Sequence, residues 1–314
     1  MNAPTDPTKE RSQHEDDVLK RIAKIVTPVA PIAGEYYVGD DAAVLKPFVG
    51  QAIVSTDVAV LGVHLDPELF ALRDLGYKAV ASALSDLAAM GARPRGVVIA
   101  VSAPQGTDLD ELHIGAVEAA EANNTAIVGG DLSSGRDVAV AVTVLGECPG
   151  GAAVLRSGAR PGDELLVSGP LGRAAAGLRR RREGASLSDD LVQAHRRPVP
   201  RLREGMAARG AGVHAMMDLS DGIGLDLHRL ADASNVGFEL TDLPVADGAT
   251  LEEAISGGED YELLIATPDA EGLRLAFRGS GLREPVSIGR VLADASTRTL
   301  GGQELIRRGY EHRL

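Results

Sequence analysis

The sequence predicts an α/β protein organised as two α+β domains with mixed sheets, and three observations predict it. Strand-like apolar runs alternate with amphipathic helical patterns along nearly the whole chain. A Pro/Gly-rich connection, Pro149-Gly150-Gly151, interrupts that alternation near the middle. The length, 314 residues, suits two cores at roughly 100–200 residues per domain. The expected units are a frayed start over 1–17, an N-terminal domain over 18–148 and a C-terminal domain over 149–314.

The first helix is expected over 16–26, with Val18, Ile22 and Ile25 on one face and a stop before Pro28. Strand-like runs follow at 43–45 and 52–55, the second feeding Thr56-Asp57 and the loop to His64. Leu72, Leu75, Ala79, Val80, Ala83, Leu84 and Leu87 recur at helical spacing and predict a helix over 72–90, stopped by Gly91 and Pro94. A strand at 96–102, a helix at 108–122, a short strand at 126–128 and a longer one at 137–145 complete the first half. In the second half a strand is expected at 164–168 and a helix at 174–182. Its last four residues, all arginine, read as a solvated helix end. Further on, the apolar run 213–217 leads through Asp218-Leu219-Ser220-Asp221-Gly222 into a helix over 223–233. Strands are then expected at 238–240 and, opened by Gly257-Gly258-Glu259-Asp260, at 261–267.

The composition excludes several classes. A formal net charge of −13 argues against a nucleic-acid or anionic-membrane surface. Cys148 is the single cysteine, so no intramolecular disulfide and no thiolate zinc site can form. The polar start lacks an apolar leader, and no run approaches the roughly 20 apolar residues of a membrane span. A cytoplasmic protein is expected. No Gly-Lys pair of a phosphate-binding loop and no protein-kinase motif is present. Gly210-Ala211-Gly212-Val213-His214-Ala215 precedes a strand instead of following one, so it is not a dinucleotide fingerprint.

The turn at Asp218 points to chemistry. Ser220 is placed to accept hydrogen bonds from the first N–H groups of the following helix, a site that attracts phosphate. Two carboxylates flank it, and they repel a phosphate unless a cation intervenes. Acids in a first helical turn also complement the helix dipole, but the arrangement recurs at Gly39-Asp40-Asp41, Ser55-Thr56-Asp57, Ser85-Asp86 and Gly129-Gly130-Asp131. Asp86 lies among Ala83, Leu84, Leu87 and Ala88, where an ionised carboxylate calls for a cation, either an arginine elsewhere or a metal ion. Hard oxygen ligands in this number suit Mg2+ shared with substrate phosphates.

Six motifs together resemble those of the thiamine-monophosphate kinase family. They are Gly39-Asp40-Asp41-Ala42-Ala43-Val44-Leu45, Ser55-Thr56-Asp57 with Gly62-Val63-His64, Leu84-Ser85-Asp86-Leu87-Ala88-Ala89-Met90-Gly91-Ala92, Gly129-Gly130-Asp131, Asp218-Leu219-Ser220-Asp221-Gly222 and Ser256-Gly257-Gly258-Glu259-Asp260-Tyr261-Glu262-Leu263. The chain closes on a similar Gly309-Tyr310-Glu311-His312. The resemblance implies the fold of aminoimidazole ribonucleotide synthetase, a homodimer paired through the N-terminal domain, and the conversion of ATP and thiamine phosphate to ADP and thiamine diphosphate. It implies that Asp41, Ser55, Thr56, Asp57, Asp86, Asp131, Asp218 and Asp221 hold several Mg2+ ions, with Asp131, Asp218 and Asp221 central to catalysis. Gly130, Asp131, Arg156 and Ser220 would contact ATP, and His64 and Glu259 thiamine phosphate. Arg307 stands where many members carry an aromatic residue near the substrate, and Leu132-Ser133-Ser134-Gly135-Arg136 replaces the family's usual Thr-Thr-Arg.

Two rivals stay open. A selenophosphate synthetase would carry a reactive cysteine or selenocysteine and a lysine near its start, whereas Cys148 stands at the domain junction. A non-catalytic binder of ATP or thiamine phosphate would be marked by lost acids, and none is lost.

Overall fold

The computed structural model describes residues 15–311. Residues 1–14 of the expected frayed start, and His312 of the closing motif, lie outside the described residues, while 15–17 belong to the first helix.

After α1 (Glu15–Val26) the first sheet is built from β1 (Gln51–Val60), β2 (Arg93–Ala103), β3 (Ile127–Ser134) and β4 (Ala139–Cys148), in the order β1-β4-β2-β3. β2 and β3 run parallel and the other pairs antiparallel, so the sheet is mixed. Side chains alternate across it. Val97, Ile99 and Val101 of β2 and Val140, Val142 and Val144 of β4 are buried against α2 (Leu72–Ala89) and α3 (Leu109–Ala122). The opposite face is more open, and on β1 Val54 is 63% and Val58 52% exposed.

The second sheet contains β5 (Glu164–Val167), β6 (Ala215–Asp218), β7 (Gly237–Leu240), β8 (Leu263–Thr267), β9 (Val286–Leu292), β10 (Arg298–Leu300) and β11 (Gln303–Glu304), ordered β11-β10-β7-β9-β5-β8-β6. Only the β10–β7 pair is parallel among these strands. Six helices accompany it: α4 (Arg173–Arg182), α5 (Asp190–Arg196), α6 (Leu202–Gly210), α7 (Ile223–Ser234), α8 (Leu251–Ser256) and α9 (Ala270–Gly279).

This sheet is covered on both faces, which explains why its strands read as continuous apolar runs. Leu166, Met216, Leu263 and Ile265 join the core that holds α2, β2 and β4. Their neighbours Leu165, Val167, Met217 and Leu264 join a second core with Ile223, Leu227 and Phe238. The first core therefore runs without a break from one sheet to the other, and α2 lies at its centre with Leu75, Val80, Leu84 and Leu87 fully buried. Polar links cross the same seam: Arg196 donates to Asp74 at 2.6 Å, and Arg209 to the Gly91 carbonyl at 2.9 Å.

Several expectations change. Residues 43–45 form no strand, and Val44 makes an isolated bridge to Tyr36. β1 continues through Ser55, Thr56 and Asp57 to Val60, and β3 through Gly129, Gly130 and Asp131 to Ser134, so these motifs lie within strands and not at their ends. β8 starts at Leu263 because Glu259 and Tyr261 adopt left-handed backbone, with φ of +71° and +50°. The arginines at the end of α4 are not simply solvated: Arg179 pairs with Glu253, Arg180 with Asp189, and Arg181 donates to the Leu69 carbonyl. Short helices α5, α6, α8 and α9 and strands β9, β10 and β11 had no counterpart in the expectations.

Candidate active site

A cavity of about 730 Å3 opens between the two sheets, lined by β1, the loop to Leu65, α2, α4, α5, the β6–α7 turn and the segment before β8. The geometry of α2 sets its length. Lys78, Ser82 and Asp86 are four residues apart, so they form one stripe on the cavity side, and two turns separate its ends by about 12 Å.

The Asp86 end is acidic. Asp57 from β1, Asp86 from α2, and Asp218 and Asp221 from the β6–α7 turn all line it. Asp57 faces inward because it shares a sheet row with buried Val142. Ser55 donates to Asp86, and Ser85 donates to Asp218 at 2.6 Å, so neighbouring hydroxyls orient both carboxylates. Burial, then the charges of Asp86 and Asp221, push the Asp57 carboxyl up to about 6. Burial and the Asp86 charge push Asp218 up to about 7, against the pull of the Ser85 hydrogen bond. Asp86 is also raised by burial, partly offset by Ser55 and by the charge of Arg156.

The turn itself differs from the sequence expectation. Ser220 does not cap α7; Gly222 occupies that position with φ of +102°, where a side chain would be strained, and no side chain caps the helix. Asp226 accepts the Asp221 N–H at 2.9 Å instead, and Arg229 bridges Asp226 and Asp221. Ser220 still lines the cavity, and its carbonyl accepts the Glu259 N–H at 2.7 Å. A Cβ at Gly258 would lie 2.5 Å from that carbonyl, so only glycine permits the approach. The Tyr261 N–H bonds the Leu219 carbonyl at 3.0 Å. These bonds hold Glu259 and Tyr261 in their unfavourable conformation, which costs about 1–3 kcal/mol per residue, and point both into the cavity.

The other end is neutralised within the protein. Lys78 is fully buried, and its Nζ donates to Glu259 Oε2 at 2.6 Å and to the His64 carbonyl at 2.9 Å. His195 Nδ1 lies 3.5 Å from the same Glu259 oxygen. His64 lines the cavity, its Nδ1 accepting the Val60 N–H at 3.0 Å. Tyr310 and the exposed Arg182 stand at the rim.

Of the residues singled out by sequence, Asp57, His64, Asp86, Asp218, Ser220, Asp221 and Glu259 converge on this cavity, Ser55 supports Asp86, and Arg156 stands within electrostatic reach of Asp86. The rest are elsewhere. Thr56 and Asp131 occupy rows whose side chains face the opposite side of the first sheet. Gly130 shares the row of Asp57 but lies three strands away, roughly 14 Å. Asp41 is exposed in the segment before β1, and Arg307 pairs with Asp232 at 2.8 Å outside the cavity lining. Sequence reasoning missed Lys78, Ser82, Arg182 and His195. The polar stripe Lys78, Ser82, Asp86 on an otherwise apolar helix was a usable signal for the first two.

Among the described residues no three carboxylate, imidazole or thiol groups stand close enough to cage a metal ion alone. The acidic end instead presents separated hard oxygen donors whose carboxyl pKa values are raised first by burial and then by neighbouring like charge. That donor set fits a divalent ion that completes its shell with phosphate and water oxygens.

Residues 39–148 match the family model of the AIR synthase related protein N-terminal domain, and residues 160–300 that of the C-terminal domain. Fold and site thus define a two-domain protein of the AIR synthase superfamily. A thiamine-monophosphate kinase of Methanospirillum hungatei is 35% identical over 292 residues, covering 90% of this chain and 96% of that protein. The crystal structure of thiamine-monophosphate kinase from Stenotrophomonas maltophilia is similar with a TM-score of 0.77 and 32% identity, covering 91% of this chain and 95% of that one. AaThiL complexed with AMPPCP and TMP is similar with a TM-score of 0.75 and 27% identity, over 95% and 97% of the two chains. The chain belongs to the thiamine-monophosphate kinase family.

Proposed function

We infer that the protein transfers the terminal phosphoryl group of ATP to the phosphate of thiamine phosphate, giving ADP and thiamine diphosphate. The observation that carries this reading is the single cavity that joins a four-carboxylate end to a charge-neutralised end about two helical turns away. The acceptor oxygen is already ionised, so the reaction needs positioning and charge neutralisation and no general base. Mg2+ held by Asp57, Asp86, Asp218 and Asp221 would supply that neutralisation toward both polyanions. Ser55 and Ser85 fix the carboxylates, Ser220 lines the cavity beside them and Arg156 acts on Asp86 through its charge, both available to the ATP phosphates, and His64 and Glu259 face the acceptor.

The open face of the first sheet supports a homodimer. Val54 and Val58 are exposed there, and the edge strands β1 and β3 pair with no further strand among the described residues. Such a surface invites burial by a second copy. Thr56 and Asp131 on that face, with Asp41 and the backbone of Gly130 on the edge strand β3, would then act in a site completed by the pairing. The working division is 18–148 for ATP, metal and dimer contacts and 149–314 for the C-terminal domain. The buried, unpaired Cys148 accords with a cytoplasmic location. No described helix is long and apolar enough to cross a membrane.

The test is ADP release with ATP and Mg2+, in parallel with thiamine phosphate, thiamine or no acceptor. Stimulation by thiamine phosphate alone, with thiamine diphosphate as product, is expected. Equal release under all three conditions would remove the reading.

A further inference from the structure

The loop between α1 and β1 is irregular, yet buried charge fixes its foot. Glu35 is 4% exposed, and Glu147 on β4 is fully buried. Arg95 on β2 joins the two, donating to each at 2.7 Å from a different guanidinium nitrogen. The register between β2 and β4 shifts between Pro94 and Gly96, and such an irregularity re-aims a side chain. Glu35 also accepts the Tyr37 hydroxyl at 2.8 Å and the Lys46 N–H at 3.0 Å, while Glu147 accepts Arg93 and, at 2.8 Å, the Val49 N–H. The Arg95 guanidinium lies over the Phe48 ring, 5.3 Å from its centre. Both ends of the loop thus meet at one cation. Burial raises both carboxyls, but these hydrogen bonds outweigh it, holding Glu35 below its ordinary value and Glu147 at about 2.

The foot carries a turn. Tyr36 and Val44 exchange backbone hydrogen bonds at 2.9 and 2.7 Å, so residues 36–44 double back, and Gly39 supplies a φ of +123°. Asp40 and Asp41 follow Gly39 at the tip. Asp40 is used within the turn, accepting the Asp41 N–H at 2.8 Å, which leaves the exposed Asp41 carboxylate for a ligand. The body of the turn lies on the first sheet, where Tyr37, Ala43 and Leu45 pack with Ala126, Val128 and Val98. Val98 shares its row with Thr143 and Thr56, and Asp131 belongs to the next row of the same face, about 7 Å along the strands. A buried charge network is weak evidence for stability, because desolvation offsets most of what the pairing gains. What it fixes here is where the turn points.

We propose that Arg95 is a positioning residue of the metal and ATP site, joining Glu35 to Glu147 so that the turn holds Asp41 over the face of Thr56 and Asp131. The proposal rests on the reading above that these residues act together toward a divalent cation and the ATP phosphates. Its test is a double-mutant cycle on Mn2+ binding, read from the spin-resonance signal of free Mn2+ with a nonhydrolysable ATP analogue present. Arg95→Lys keeps the charge but loses the fork that spans two carboxylates, and should weaken Mn2+ binding by about tenfold. Asp41→Asn should weaken it at least as much. Because Arg95 acts through Asp41, the double variant should bind no more weakly than Asp41→Asn alone. In Arg95→Lys the KM for thiamine phosphate should stay within about twofold of the wild type. Tyr37→Phe removes only the hydroxyl bonded to Glu35, keeps every ion pair of the foot, and should weaken Mn2+ binding by about threefold.

A merely structural Arg95 would lower the thermal midpoint and leave Mn2+ affinity in place, or add its loss to that of Asp41→Asn. Either result overturns the proposal, as does wild-type affinity in Tyr37→Phe. An Asp41→Asn protein with wild-type affinity overturns the role of Asp41 and the proposal together. Mn2+ binding needs no turnover, so the cycle decides on Arg95 even where the wild type releases no ADP with thiamine phosphate, a failure that strikes the kinase reading alone.

Discussion

At the Asp86 end four separated carboxylates line the cavity, and burial, then like charge, raise Asp57 and Asp218 to about 6 and 7. At the Lys78 end an ammonium and a carboxylate neutralise each other at 2.6 Å, with the His195 imidazole 3.5 Å from the carboxylate. At the first end Arg229 pairs with Asp221 and Arg156 acts on Asp86, yet Asp57 and Asp218 stay raised by burial and like charge, whereas the second end is balanced by its own ion pair. Removing a charge should therefore harm function at one end and stability at the other.

The largest effect tests the acidic end. Asp86→Asn should lower turnover by about a thousandfold, the scale on which loss of one preorganised electrostatic group acts. Its thermal midpoint should not fall, because the substitution relieves repulsion. A variant with near-normal ADP release would take Asp86 out of the mechanism.

The converse holds at the other end. Lys78→Met strands Glu259 and the His64 carbonyl without their partner, and should cost about 3 kcal/mol in urea unfolding. The double variant Lys78→Met with Glu259→Gln should regain part of that loss. No recovery would mean that packing of the lysine stem, and not the ion pair, matters here.

A third comparison isolates pH. The Asp218 pKa is about 7 in the folded protein and near the ordinary carboxylate value of about 3.9 when unfolded. The folded state thus binds the proton more tightly, so the stability this group contributes is present below about pH 4 and lost as pH rises through about 7. With metal chelated, Asp218→Asn should gain stability over the parent at pH 8 relative to pH 5, on the order of a few kcal/mol. Subtracting the parent cancels the buried histidines, which titrate oppositely. A gap that stays constant between the two pH values would contradict the burial of Asp218 among like charges.

The smallest effect is expected outside both ends. Arg307→Ala removes an exposed pair with Asp232 and should change stability by less than about 0.5 kcal/mol. The KM for thiamine phosphate should stay within about twofold. A larger rise would return Arg307 to the substrate wall.

The acids of the cavity were legible because short motifs that set acids beside Gly, Ser or Thr survive in any reading of the chain, and α2 was legible because its apolar spacing persists over five turns. The rows of β1 and β3 were less so. Thr56 and Asp57 are adjacent in sequence but point to opposite faces, and Asp131 lies across the sheet from both; strand pairing alone decides this. Arg182 read as the end of a solvated run and stands at the cavity rim, since the packing of α4 against α5 and α8 is invisible in a helical pattern. His195 carried no motif; only burial with an unpaired nitrogen marks it.

The chain by itself determined its α/β class, its family and the hard-oxygen chemistry of its acids. Those depend on local periodicity and residue type, which act over a few neighbouring positions. Tertiary structure decided which acids meet, which charges are already neutralised, and which face of the first sheet stays open. These follow from long-range pairing that brings Lys78 to Glu259 and Ser85 to Asp218 across 181 and 133 residues, and no local pattern encodes such distances.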